Sequence, residues 1–144
     1  MIETSPEHFK LGDLHADIET LASLVHYYSD EAAKARSKKD SLEVQLELRM
    51  AQVETTLRAD IARNGGSKPT ESQIKAMVIQ NKDVIQLNLD IVKATEDLNV
   101  LMAAVKAMDA KRDSINNKVR LTVSKATASL DISSVEASAL AVGH

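Results

Sequence analysis

The sequence predicts an all-α protein, a long antiparallel helical hairpin with coiled-coil-like arms and a short helix after a Gly-Gly turn, assembling as a homo-oligomer. Three observations carry that expectation. Apolar residues recur at three- and four-residue steps along two segments, Asp13 to Asn64 and Thr70 to Val142, that contain neither glycine nor proline. Between them, Asn64-Gly65-Gly66-Ser67-Lys68-Pro69-Thr70 concentrates two of the four glycines and one of the two prolines. Finally, 44% of residues are apolar but only 2% aromatic, so the core is Leu, Ile, Val, Ala and Met, which suits helix-on-helix seams better than a deep ligand pocket.

Residues 1–12 read as a lead-in ending at Gly12, with Asp13 placed to cap the first arm. That arm, about 13–63, carries the stripe Leu14, Ile18, Leu21, Val25, Tyr28, Ala32, Ala35, then Leu42, Leu46, Met50, Val53, Leu57 and Ile61. One charge, Lys39, interrupts it. A helix of about 50 residues would run about 75 Å, longer than an ordinary globular helix, which argues for a coiled-coil-like arm. Gly65-Gly66 then supplies backbone freedom for a reversal, and Pro69 bars the residue before it from continuing a helix. Thr70 reads as an N-cap, with Gln73 placed to close a capping box over a short helix at about 70–81 that carries Ile74, Met77 and Val78. Asn81-Lys82-Asp83 reads as a kink with a fresh cap at Asp83, or as uninterrupted helix. The second arm, about 83–127, keeps its seam through Val84, Leu87, Ile91, Ala94, Leu98, Leu101, Val105, Met108, Ile115, Val119 and Ala126, with Arg112 as its charged fault. Residues 1–127 thus form one hairpin domain. The Ser/Ala-rich stretch 128–144 reads as a weakly ordered tail, or a short helix that docks on a neighbour.

A second apolar set lies outside both seams: Val44, Leu48, Ile79, Ile85, Leu89, Val92 and Val100. A lone hairpin would leave this face wet, and the chain offers only the short 70–81 piece to cover it. Self-association is the expected cover.

A formal charge of −3 leaves no global basic field, so local distribution matters more than the total. Acids outnumber bases seven to one over residues 1–31, and the sign then flips at Lys34, Arg36, Lys38 and Lys39. A second basic stretch holds Lys106, Lys111, Arg112, Lys118, Arg120 and Lys125. Folding the arms so that Ile61 lies near Val84 makes facing residue numbers sum to about 145. Lys39 then meets Lys106, Lys34 meets Lys111, and the clusters merge into one belt, unless the 70–81 piece slides the register. Like charges brought together cost stability unless an anion binds, and a nucleic-acid backbone is the commonest such partner. The plainer reading is a solvated helix face. Arg49, Arg58, Arg63 and Lys68 form a second candidate group near the turn, with Glu54 and Asp60 beside them.

Much chemistry is excluded. Without cysteine there are no disulfides, thiolate metal sites or cysteine nucleophiles. The N-terminus is acidic and lacks the apolar core of a signal peptide, and no apolar run approaches the ~20 residues of a membrane span, so a cytoplasmic protein is expected. No phosphate-binding glycine loop, nucleophile elbow or HExxH motif occurs. His15, Glu19 and His26 fall near one helical face, but spacing along a single helix is a weak metal signal. No metal, cofactor or enzyme activity is expected. Tyr27 could stack bases, whereas Tyr28 sits in the seam.

The succession of a long N-terminal helix, Leu46-Glu47-Leu48-Arg49 and Leu57-Arg58, a Gly-bearing turn, Glu71-Ser72-Gln73-Ile74-Lys75-Ala76-Met77-Val78 with Lys82-Asp83-Val84, and Ala104-Val105-Lys106-Ala107-Met108-Asp109-Ala110-Lys111-Arg112 resembles the UvsY-type recombination mediators of tailed phages. It is also similar to small helical proteins encoded among phage recombination genes. The resemblance covers about residues 15–120, in pattern and segment order. It implies a ring-forming, non-catalytic single-stranded DNA binder that helps load a RecA-like recombinase onto DNA covered by single-strand-binding protein. Basic residues before the turn contact DNA in that family, and the matching positions here are Arg58, Arg49 and Arg63. The expected partners are therefore single-stranded DNA, the recombinase, single-strand-binding protein and further copies of this chain, in the host cytoplasm if phage-encoded. The alternative is a coiled-coil structural or adaptor protein, or an inhibitor of a host protein, without nucleic-acid binding.

Overall fold

The structure, a computed structural model, describes residues 11–142, with side chains from Ala16 onward. The described chain is all-helical: α1 spans Leu11–Asn64, α2 Glu71–Ile79 and α3 Lys82–Ala141. α1 packs against α3 as a helical hairpin. The expected lead-in over 1–10 lies outside the described residues. Gly12 and Asp13 are already helical, so Asp13 lies inside α1 and not at its cap.

The turn follows the residue chemistry closely. Gly65 adopts φ +62°, the left-handed conformation that ends a helix cheaply only where Cβ is missing. Thr70 Oγ1 accepts a hydrogen bond from the Gln73 N–H at 3.3 Å, and Gln73 Oε1 accepts one from the Thr70 N–H at 2.9 Å, completing the capping box. α2 ends at Gln80, whose N–H donates to the Ala76 carbonyl at 3.1 Å. The break before α3 is capped by Asn81 and not by Asp83. Asn81 Oδ1 accepts from the N–H groups of Asp83 at 3.0 Å and Val84 at 3.4 Å. Asn81 is two and three residues ahead of those donors, the reach of a capping amide.

Two compact units divide the chain. In Tyr28–Ala103, the buried residues Val53, Val78 and Val84 gather with half-buried Leu46, Met50 and Leu57. Ile74, Ala94 and Leu98 are also buried. The register differs from the expected one. Val84 packs at the level of Val53 and not of Ile61, so facing numbers sum to about 137. The cause is α2. Its buried Ile74 lines a groove with Ile61, and Val78 reaches the Val53 cluster, so nine residues of helix occupy the seam where the second arm was expected to begin.

In the unit made of Met1–Tyr27 and Ala104–His144, buried Leu21 and Ile115 pack with Ile18, Met108 and Val119. This pairing sets Leu11 level with about residue 125. Every residue from 120 to 142 is exposed, including Ala126, which was expected in the seam. α3 continues as helix through Ala141, over the stretch from 128 that reads in sequence as a weakly ordered tail or a short docking helix. α1 is likewise continuous through Lys34–Lys39, with Lys34 Nζ 2.9 Å from Glu31 and Lys39 Nζ 3.1 Å from Glu43. Lys34 and Lys39 are thus each paired with an acid one turn away, which offsets part of the repulsion within the cluster.

Candidate nucleic-acid interface

The ten basic positions singled out in the sequence divide by what their side chains touch. Arg58 is wholly engaged. Its Nε and Nη2 donate to Glu54 at 3.0 and 2.8 Å, and its Nη1 and Nη2 donate to Glu71 at 3.2 and 2.7 Å. These bonds tie α1 to the first residue of α2. Arg58 holds Glu71's carboxyl below the usual carboxylate range, and Glu71 and Glu54 push the guanidinium's pKa up in return. Arg49 donates to Asp83 at the start of α3 and, at 3.3 Å, to Gln52. Its Nε is buried without an acceptor. Arg112 pairs with Asp109 at 3.0 Å and approaches Asp113 at 3.9 Å on its own helix. Lys39, half-buried, pairs with Glu43. Arg58 and Arg49 tie α1 to other elements, and Lys39 and Arg112 are half-buried at seam positions, which is a structural use of the charge.

The remaining six are exposed: Lys34, Arg36, Lys38, Arg63, Lys106 and Lys111. Lys34 bonds Glu31, and Arg36 Nη2 lies 3.8 Å from Met102 Sδ. Arg63 stands in the last turn of α1, where the helix dipole favours a cation. Lys34 and Lys38, one turn apart, line an open groove of about 490 Å³ with Glu31, Ala35, Asp97, Val100 and Leu101. Arg36, two residues from each, lies on another side of α1.

The belt expected from the sequence needed Lys106 and Lys111 across from Lys39 and Lys34. Within Tyr28–Ala103 the residues that face Lys34 and Lys38 are instead Asp97, Val100 and Leu101. Lys38 also shares a second groove with Asp90, Lys93 and Asp97. The shift that α2 imposes therefore replaces expected like charges with acids and apolar groups. Lys106, Lys111 and Arg112 belong to the other unit.

Tyr27 is 58% exposed and Tyr28 half-buried in the seam. Of the weak metal trio, the His15 side chain lies outside the described residues. No cluster of three or more His, Asp or Glu suited to a metal occurs among the described residues. Nor is any described helix long and apolar enough to cross a membrane.

Sequence reasoning missed Arg49–Asp83 and Arg58–Glu71. These pairs are 34 and 13 residues apart, and only the position of α2 brings them together. Asn81 was within reach of the sequence, since an Asn just ahead of an apolar periodic run is a cap signal.

Comparison with protein-family models, curated proteins and solved structures finds no match.

Proposed function

We propose that this chain is a non-enzymatic, self-associating helical protein that binds single-stranded DNA and helps load a RecA-like recombinase onto it. The observation that carries the DNA reading is the groove beside Lys34 and Lys38. It sets two exposed ammonium groups next to an apolar floor, Val100 and Leu101. Phosphates can sit on the lysines while unstacked bases lie against the apolar side, a combination that tolerates any sequence and needs a single strand. Arg36, Arg63, Lys106 and Lys111 are the further contacts in this reading. Arg49, Arg58, Arg112 and Lys39 are assigned to structure. The recombinase and single-strand-binding protein enter as partners through the resemblance described above.

A second reading, a coiled-coil adaptor or inhibitor without nucleic acid, draws support from Asp97, Asp90 and Glu31, which stand among the same lysines. Fluorescence anisotropy of a labelled strand of about 30 nucleotides separates the two. The DNA reading expects binding that prefers the single strand over duplex and weakens as salt rises. It also expects Lys34→Glu/Lys38→Glu to reduce affinity at least tenfold and flatten the salt slope by roughly 0.7 per lost contact. An unchanged isotherm for the double variant would remove the groove from the site, and no binding at low salt would favour the adaptor.

A further inference from the structure

The unit Tyr28–Ala103 carries two apolar stripes that no described residue covers. On α1, Val44 lies two residues from both Leu42 and Leu46, about 200° around the helix from each, so it points away from the seam. Leu48, one turn on, shares that outer face; the two are 56% and 60% exposed. On α3, Leu89 lies two residues from Leu87 and Ile91 and is likewise turned outward. Ile85 and Val92 complete this stripe, and the three are 46% to 58% exposed. Because α1 and α3 face each other through their seams, the two outer stripes look in opposite directions. They also lie at one height, since Leu42 and Ala94 line the same groove.

Their rims differ in sign. Exposed Asp40 and Glu47 flank the α1 stripe, while exposed Lys82 and Lys93 flank the α3 stripe, with Glu96 as one acid on that face. Asp40, Glu47, Lys82 and Lys93 form no ion pair within the described residues. A like-with-like contact would oppose acids to acids or lysines to lysines. Contact between the two different stripes joins apolar to apolar and acid to base.

We infer that the outer face of α1 in one copy docks on the outer face of α3 in the next, the partner being a second copy of this chain. Such a contact is heterologous: each copy uses both faces, so association continues until a ring closes or a filament grows. The inference deepens the self-association in the function proposed above. Its test contains no DNA, so its failure is distinct from a failure of DNA binding.

Sedimentation velocity on the full chain, with Leu48→Glu and Leu89→Glu alone and mixed, decides it. Each Glu would place a charge at the centre of an apolar contact, where burial costs more than a rim lysine returns. The wild type is expected to exceed a dimer, and each variant alone to be monomeric with undiminished helical circular dichroism. An equimolar mixture should give a one-to-one dimer and nothing larger, because each variant keeps one intact and different face. A wild type that stops at monomer or dimer, a variant that dimerises alone, or a mixture that stays monomeric would overturn the inference. If a Glu variant loses helicity, Leu48→Gln and Leu89→Gln replace the pair with the same expected outcomes.

Discussion

At the scale of the residue, the best-defined interactions cluster where the chain reverses. Arg58 bonds Glu71 across the turn, with Glu71 largely and Arg58 partly in solvent, so the pair fixes where α2 starts more than it adds stability. The sign of its pH dependence follows from Glu71's lowered pKa. The contribution is fully present above the ordinary carboxylate range and is lost as pH falls through the lower, folded-state value. Thermal unfolding between about pH 5 and pH 3 should therefore fall more steeply in the wild type than in Glu71→Gln. Parallel curves for the two proteins would show that the pair does not contribute. The neighbouring Arg49 bridges α1 to Asp83 in the same way, and with Asn81 it seats the first turn of α3.

At the scale of the element, α2 is the part that decides the register. The seam positions of both long helices were legible from three-four periodicity. Those from Ile18 to Val119 with described side chains are buried or half-buried, and the second set from Val44 to Val100 is exposed as expected of an uncovered face. The Thr70–Gln73 box was legible as well, because a capping box is local in sequence. What could not be read was the offset between the arms. Periodicity fixes which side of a helix is apolar but not its height against a partner. That height depends on whether α2 lies beside the seam or within it. Ile74 and Val78, 5% and 4% exposed, put it within. The expected basic belt failed for this reason alone. Truncating Ile74 to Ala should cost about 2–4 kcal/mol of unfolding free energy, whereas Ile79→Ala, at an exposed position of the same helix, should stay within about 0.5 kcal/mol. Chemical denaturation measures both, and equal small losses would mean that α2 does not hold the hairpin end.

At the scale of the whole molecule, the apolar surface is distributed as it would be for a part of something larger. Val44 and Leu48 on α1, with Ile85, Leu89 and Val92 on α3, lie outside any seam of their own chain, and α3 beyond residue 120 adds Leu121, Val123, Leu130, Ile132, Val135 and Leu140 to the exposed set. Single exposed leucines are ordinary, but stripes at helical spacing on opposite sides of one hairpin call for neighbours. Assembly would also repeat the Lys34–Lys38 groove once per copy, so a strand crossing several copies would gain affinity from linked weak contacts. Stacking would thus strengthen the proposed DNA binding without being required for contact at a single groove.

Cross-linking tests that stacking most directly, and the absence of native cysteine makes it clean. Leu48 and Leu89 lie on opposite outer faces, too far apart for a disulfide within one chain, since bridged Cα atoms must approach within about 7 Å. Under mild oxidation, a Leu48→Cys/Leu89→Cys double variant should run on non-reducing gels as a ladder of covalent multimers, while either single variant stays largely monomeric. A double variant that remains monomeric, or single variants that dimerise as fast as the double one multimerises, would contradict the account.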